Sequence, residues 1–108
     1  MEKRFGDSEM TVQVEIATVA LIARLEEEAA GRHRFSQEDP YFTFEEGRKY
    51  LKVVYNSYGS RSVHAFVDKV SGDLYKAASW NAPAKGIRYN LLNNPPANVD
   101  PNGSYLYR

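Results

Sequence analysis

The second half of the chain concentrates aromatic, cationic and amide side chains of the kind that bind nucleotides. They lie in the stretch 61–90 and are Arg61, Tyr75, Lys76, Trp80, Lys85, Arg88, Tyr89 and Asn90. An aromatic ring stacks on a nucleobase with about 1 to 3 kcal/mol, asparagine bonds the edge of adenine through two hydrogen bonds, and arginine forks onto phosphate oxygens. The stretch therefore suits a ligand made of a base and phosphate groups.

A second interpretation of the same residues is equally consistent with their spacing. Trp80 would fill the core beneath the loop APAKG, residues 82–86, and Asn90 would cap a turn. The lysines and arginines would then be ordinary solvated side chains. Spacing alone leaves both interpretations open.

Catalytic chemistry has few candidates in this chain. Its two histidines are His33 and His64, and the absence of cysteine excludes thiol nucleophiles, thiolate zinc sites and disulfides. His64 projects from a predicted strand near Arg61, where RNA cleavage is conceivable, but an isolated strand histidine is more often packed or on the surface. Metal-ligand spacings and phosphate-binding glycine loops are also missing, so we expect a protein that is not an enzyme and uses neither metal nor cofactor.

Charge is divided unevenly along the chain. The formal net charge is zero, but residues 1–54 carry eight basic and eleven acidic side chains, whereas residues 55–108 carry six and three. The overall balance disfavours a stable nucleic-acid partner, and the positive second half is where an anion would bind. No signal-peptide core and no stretch of about 18 to 20 apolar residues is found, which predicts a cytoplasmic protein without a membrane partner.

The first element that must position these residues is an amphipathic helix. Apolar residues recur every three or four positions at Ile16, Val19, Ile22, Leu25 and Ala29. This period is typical of one buried helix face, and Gly31 supplies a stop. Residues 12–16 also fit the alternation of a strand, and we favour helix.

The period changes to two after a polar loop that reaches Pro40. Alternation predicts strands at residues 48–56, 62–68 and 73–77, with Gly72 providing a positive φ in the second hairpin. Val63, Ala65 and Val67 are expected on one face, with His64 and Phe66 on the other. The sequence therefore predicts an α+β fold in which the helix packs on an antiparallel meander of three or four strands.

The C-terminal segment differs in composition from the rest. Residues 93–104 hold three of the five prolines together with four asparagines, which is unfavourable for a core element. We predict a single domain over residues 1–92 and a Pro/Asn-rich tail over 93–108. Because the chain ends in the sequence YLYR, docking of this tail on a partner subunit is one expectation.

The stretch RSVHAFVDKVSGDLYKAASWNAPAKGIRYNLL, residues 61–92, resembles a segment of short phage-encoded proteins, and so does its lead-in GRKYLKVV, residues 47–54. It is most similar to the first Thoeris anti-defence family. Members of that family are phage sponge proteins that sequester the cyclic ADP-ribose signal made by bacterial TIR-domain enzymes. The resemblance spans residues 47–92, less than half of the chain.

This resemblance implies a function in the cytoplasm of an infected bacterial host. The protein would bind a cyclic ADP-ribose isomer, or a cyclic oligonucleotide, without cleaving it, and would assemble as a dimer or from dimers. Trp80 corresponds to the family's base-stacking aromatic residue, Asn90 to its asparagine ten residues later, and Arg88 to an arginine on the pyrophosphate. Arg108 would correspond to C-terminal arginines that reach a partner's pocket.

Two other functions remain open from the sequence. The many tyrosines and the YLYR end are typical of a surface that binds protein, as in a phage effector that inhibits a host protein. The basic second half together with His64 would instead suit a small RNA-binding protein.

Overall fold

A helix packed on a five-stranded antiparallel sheet forms the part of the chain that the computed structural model describes, residues 9–32, 41–57 and 59–107. The helix is α1 (Glu9–Arg32), and a short 3-10 helix lies at Ser104–Leu106. The strands are β1 (Tyr41–Glu46), β2 (Tyr50–Ser57), β3 (Ser60–Asp68), β4 (Asp73–Lys76) and β5 (Tyr89–Asn90). They pair in chain order. The predicted α+β architecture is confirmed, with five strands in place of three or four.

The two additional strands extend the meander at both edges. In β1, Phe42 and Phe44 alternate with polar residues, and Phe44 pairs with Val53 of β2. Strand β5 has two residues, which is too short for any alternation to be recognised in the sequence. The predicted hairpin between β3 and β4 is confirmed, and Gly72 has φ +82 as that turn requires.

Helix α1 begins earlier than its predicted stripe, and that stripe is confirmed at Ile22, Leu25 and Ala29 but wrong in the N-terminal half of the helix. Residues 12–16 are helical, as favoured, but Ile16 and Val19 are 63% and 53% exposed. The buried stripe consists of Thr11, Val14, Thr18, Leu21, Ile22, Leu25 and Ala29. The N-terminal half of the helix carries apolar residues on two faces, so periodicity alone does not select the face that meets the sheet. The helix also continues through Gly31 to Arg32.

The core lies between α1 and the inner face of the sheet, the face turned toward the helix. Its strand residues are Phe42, Leu51, Val53, Ala65, Val67 and Leu74. The Glu26 carboxylate accepts a hydrogen bond from the Phe42 N–H at 3.0 Å, which ties the helix to the edge strand β1. Within the described residues, no helix is long and apolar enough to cross a membrane.

The C-terminal segment belongs to this core, so the predicted separate tail is not confirmed. Val99 and Leu106 are 8% and 1% exposed and are members of the core cluster. The Arg24 guanidinium donates hydrogen bonds to the carbonyl oxygens of Pro96 and Ala97, at 2.9 and 2.8 Å. The described part of the segment thus packs on its own sheet. Arg108 lies outside the described residues.

A β-bulge in β3 places the His64 side chain on the inner face of the sheet. Val53 pairs with Ala65 and Val54 with Val63, which leaves His64 without a register partner. The His64 ring lies 5.3 Å from that of Phe42, a core residue, whereas Phe66 contacts Tyr50. The expectation that His64 and Phe66 share a face is therefore wrong, because the extra residue of the bulge reverses the alternation.

Truncation of Leu106 tests whether the C-terminal segment is structural. Leu106→Ala removes a fully buried side chain and should lower the free energy of unfolding by about 2 to 5 kcal/mol. Urea denaturation measures this loss. Tyr107→Ala is the control, because that ring is 70% exposed and should cost about 1 kcal/mol or less. Equal stability of the Leu106→Ala variant and the unsubstituted protein would mean that the segment is a detached tail.

Candidate functional site

The face of the sheet turned away from α1, here called the outer face, carries aromatic and charged side chains. Alternation along β2 places Tyr50, Lys52 and Val54 on this face, opposite the inner residues Leu51 and Val53. The other outer-face residues used below are Glu45, Arg61, Val63, Phe66 and Tyr75. Val54 and Phe66 are buried, at 0% and 3% exposure, so the side chains of this face that can reach a ligand are the half-buried and exposed ones: Glu45, Tyr50, Lys52, Arg61, Val63 and Tyr75.

The loop 77–84 presents Trp80 on this outer face. Its base is closed by main-chain hydrogen bonds: the Ala78 N–H donates to the Ala82 carbonyl at 2.9 Å, and the Ala84 N–H to the Lys76 carbonyl at 2.7 Å. Ala77 and Pro83 form an isolated bridge. Trp80 at the tip is 39% exposed and is not a member of the core cluster. The alternative that Trp80 fills the core is therefore wrong.

Two cations flank the indole ring of Trp80. The Lys52 Nζ lies 4.3 Å from the ring centroid and the Arg61 guanidinium carbon 5.2 Å from it. Both are cation–π distances, worth about 0.5 to 1 kcal/mol each at exposed sites. The Arg61 guanidinium also pairs with the Glu45 carboxylate of β1. An exposed aromatic ring and two positive charges are thus held together by three strands and a loop.

Two cavities open on either side of this loop. The first, about 370 Å³, is lined by Arg61, Val63 and the loop residues up to Trp80, and we call it the Trp80 cavity. The second, about 330 Å³, is lined by Lys49, Tyr50, Lys52, Phe66 and Asn81 among others, and we call it the Tyr50 cavity. Each is at the small end of the range of ligand pockets, about 300 to 1,000 Å³.

The structure brings together two of the predicted site residues, Trp80 and Arg61, and adds one that the sequence analysis missed. Lys52 was overlooked because it lies on β2, outside the stretch 61–90. Strand alternation already placed it on the face opposite Leu51, which was the available signal. Lys76 is elsewhere, with its Nζ 4.7 Å from the centroid of Tyr107. Lys85 is exposed and lines neither the Trp80 cavity nor the Tyr50 cavity.

Asn90 is engaged in the turn between β3 and β4. Its Nδ2 donates to the Ser71 carbonyl and to the Asp73 carboxylate, both at 2.8 Å. Its Oδ1 accepts from the N–H groups of Leu92 and Asn93, both at 2.9 Å. These bonds use both amide hydrogens and the carbonyl oxygen, so the turn-capping alternative describes the geometry of Asn90 in this structure.

Arg88 also has contacts within the fold. Its Nε donates to the Leu106 carbonyl at 2.8 Å, and its Nη1 to the carbonyls of Lys85 and Gly86 at 3.1 and 3.0 Å. It therefore links the C-terminal segment to residues 85–88, which precede β5. The contacts of Arg88 and Asn90 share no residue with those of Trp80, and Arg108 is outside the described chain.

His64 is buried and neutral at physiological pH. The residue is only 8% exposed, and its Nε2 and the Tyr105 hydroxyl form a 2.7 Å hydrogen bond. Burial lowers the pKa of His64 to about 4, while Asp100 and a hydrogen bond to the Pro101 backbone oppose the shift. Burial likewise raises the pKa of Tyr105. This geometry suits a structural clasp rather than the acid–base pair that RNA cleavage requires.

The pKa of Asp68 reflects its place in the turn between β3 and β4. Burial of the Asp68 carboxylate opposes ionisation, but hydrogen bonds from the N–H groups of Ser71 and Val70 hold its pKa below the usual value.

Among residues 9–32, 41–57 and 59–107, no group of three or more histidine, aspartate or glutamate side chains is placed to hold a metal ion.

Substitution of Asn90 distinguishes a structural role in the turn from a role in ligand binding. Asn90→Ala should lower the free energy of unfolding by about 1 to 3 kcal/mol, because two N–H groups and two oxygen atoms lose their partner. Urea denaturation measures the loss, and Asn81→Ala, on an exposed loop, is the matched control. A variant of unchanged stability that loses nucleotide affinity would restore the ligand role of Asn90.

The low pKa of His64 predicts a pH-dependent stability. Between pH 6.5 and about 4 the unfolded chain binds the imidazole proton and the folded chain does not, so the free energy of unfolding falls as the pH falls. The limiting slope is about 1.4 kcal/mol per pH unit. Denaturation of the unsubstituted protein and of His64→Gln from pH 7 to 5 isolates this effect. Parallel curves for the two proteins would contradict it.

Comparison with known proteins assigns the chain to a family without adding a function. Residues 2–108 match the family of unknown function DUF7717. No curated protein and no solved structure matches the chain. Since the match extends over nearly all of the sequence, the chain belongs to the DUF7717 family.

Proposed function

We propose that this protein binds a nucleotide on the outer face of its sheet, at Trp80, and holds it without cleaving it. The observation that carries the proposal is the position of the Trp80 ring, which is 39% exposed, lies beside an open cavity and has the Lys52 Nζ 4.3 Å and the Arg61 guanidinium carbon 5.2 Å from its centroid. Tryptophan is enriched at binding surfaces because its ring offers a large apolar area together with a polar N–H group.

The chemistry of these three side chains matches the parts of a nucleotide. A nucleobase stacks on the indole, and a phosphate attached to that nucleoside meets the ammonium of Lys52 and the guanidinium of Arg61. Arg61 has five N–H donors, so it bonds a phosphate while keeping its contact with Glu45. No nucleophile or general base is needed for such binding.

The resemblance of residues 47–92 to sponge proteins supports a particular class of nucleotide. We propose a cyclic nucleotide immune signal, with a cyclic ADP-ribose isomer first, sequestered in the cytoplasm of an infected bacterial host. In this proposal the protein is a phage anti-defence factor and forms a homo-oligomer, which light scattering of the purified protein tests directly. Release of the bound nucleotide intact after heating is the expected result for sequestration without cleavage.

An aromatic and cationic sheet face also favours a second function, binding of single-stranded RNA. Tyr50, Phe66 and Tyr75 form edge-to-face pairs with ring centroids 5.8 Å apart, next to Lys52. Small α+β domains present such rings to unstacked bases, and here the half-buried Tyr50 and Tyr75 can do so, whereas Phe66 is 3% exposed and supports them from below. Glu45 and Glu46, which line the Tyr50 cavity, oppose a long polyanion through their carboxylates, which ranks this function below the first.

A ligand panel tests the proposed function. Thermal unfolding is measured with cyclic ADP-ribose isomers, cyclic dinucleotides, linear ADP-ribose and a short single-stranded RNA. A ligand present at about a hundredfold over its Kd should add about 2.7 kcal/mol of stability, which for a domain of this size is a shift of about 10 °C. A shift with a cyclic nucleotide supports the proposal, and no shift with any nucleotide contradicts it.

Substitution of the indole tests the location of the site. Trp80→Ala should weaken binding of the best nucleotide by about 5- to 150-fold, the equivalent of about 1 to 3 kcal/mol of stacking. The free energy of unfolding should fall by about 2 kcal/mol or less, because the ring lies outside the core and loses only its two cation–π contacts, about 0.5 to 1 kcal/mol each. Calorimetric titration measures the affinity. Lys52→Met should also weaken binding, and Lys85→Met is the matched control outside both cavities.

A further inference from the structure

The Trp80 cavity and the Tyr50 cavity are neighbours that share one cation. Lys52 lines the Tyr50 cavity, and its Nζ lies 4.3 Å from the centroid of Trp80, which lines the other cavity. Asn81, the residue after Trp80, lines the Tyr50 cavity. The tip of the loop 77–84 therefore forms the partition between the two cavities, with Lys52 beneath it.

The Tyr50 cavity repeats the composition of the first site. Tyr50 is half-buried and is held by edge-to-face contacts with Phe66 and Tyr75, both at 5.8 Å between centroids. The Lys49 Nζ lies 5.4 Å from the centroid of Tyr50. An aromatic ring fixed by two neighbours and accompanied by an ammonium group is a second place where a flat ring stacks near a negative charge.

The charges around the Tyr50 cavity favour an anion. Its lining includes three cations, Arg48, Lys49 and Lys52, and two carboxylates, Glu45 and Glu46. Each carboxylate pairs with a cation that does not line the cavity: Glu45 with Arg61, and Glu46 with Lys69, whose Nζ is 2.7 Å from the Glu46 oxygen. The cations of the lining therefore determine the sign of the local field.

We propose that the Tyr50 cavity is a second ring subsite and that the ligand carries two nucleosides joined through phosphate groups, which favours a cyclic dinucleotide, among the cyclic nucleotides proposed above, over cyclic ADP-ribose with its single base. The inference rests on the proposed function, because it takes the Trp80 cavity as the first subsite. Tyr50 and Lys52 are two residues apart on one face of β2, about 7 Å. When Lys52 binds the linking phosphate, one nucleoside of the ligand can stack on Trp80 and the other can reach Tyr50.

A comparison of one-ring and two-ring probes tests this inference. Calorimetric titration gives the Kd of AMP and of diadenosine diphosphate for the unsubstituted protein and for Trp80→Leu, Tyr50→Leu, Lys49→Met and the control Lys85→Met. The two-ring probe should bind about 5- to 150-fold more tightly than AMP, the contribution of a second stacked ring. Trp80→Leu should weaken both probes.

The variants in the Tyr50 cavity should affect only the two-ring probe. Tyr50→Leu should reduce its affinity to within about threefold of that of AMP, whose own affinity stays unchanged. Lys49→Met, a substitution of an exposed side chain that cannot disturb the core, should weaken the two-ring probe by about threefold to tenfold. Thermal unfolding of each variant verifies that it is folded.

The failures of the two proposals are distinguishable. Equal affinity for AMP and diadenosine diphosphate, or a two-ring affinity that Tyr50→Leu and Lys49→Met leave unchanged, would overturn the second subsite while leaving the first in place. No binding of either probe, and no effect of Trp80→Leu, would overturn the proposed function itself. Tighter binding of hexa-adenylate than of diadenosine diphosphate would overturn the assignment to a small ligand and favour single-stranded RNA.

Discussion

The sheet is wider than the one helix that packs on it, and this mismatch determines where the rest of the chain must go. Five strands at a spacing of about 4.8 Å span about 20 Å, whereas an α-helix with its side chains is about 10 Å across. Helix α1 lies against β1, so the inner face of the later strands needs another cover. The segment from Leu91 to Leu106 provides it, despite its three prolines.

Several polar residues that could serve chemistry are used to hold this cover in place. Arg24 bonds the carbonyls at residues 96 and 97, Arg88 bonds that of Leu106, and His64 bonds Tyr105. Asn90 organises the turn from which the segment departs. Their contacts lie within the fold, while Trp80, Lys52 and Arg61 meet on the outer face, away from the core cluster. The core cluster and the proposed binding site thus lie on opposite sides of one sheet.

The sequence predicted those parts of the fold that local pattern determines. Strands β2, β3 and β4 and the turn at Gly72 follow from alternation and from a residue that accepts positive φ. The exposed stripe at Ile16 and Val19 and the cover formed by residues 91–106 could not be predicted, because both depend on the width and placement of the whole sheet. Short strands such as β5 carry too few residues for any periodic signal.

The candidate site was predicted to a similar extent. Trp80 and Arg61 stood out by residue type, but the meeting of Trp80 with Lys52 depends on the fold-back of a loop over a strand that is distant in sequence. At Asn90, the asparagine side chain is suited both to contact a ligand and to cap a turn. Only the positions of Ser71 and Asp73 show which of these geometries it adopts.

The loop 77–84 is closed by its own main chain, and this has a consequence for how the protein can change over time. Its hydrogen bonds join the peptide groups of Lys76, Ala78, Ala82 and Ala84 and involve neither Trp80 nor Asn81 side-chain atoms. Residues 80 and 81 can therefore be exchanged without loss of the loop's shape or of the core beneath. For the proposed binding site, single substitutions at these two positions are therefore a route by which relatives that share the scaffold would come to differ in their ligands.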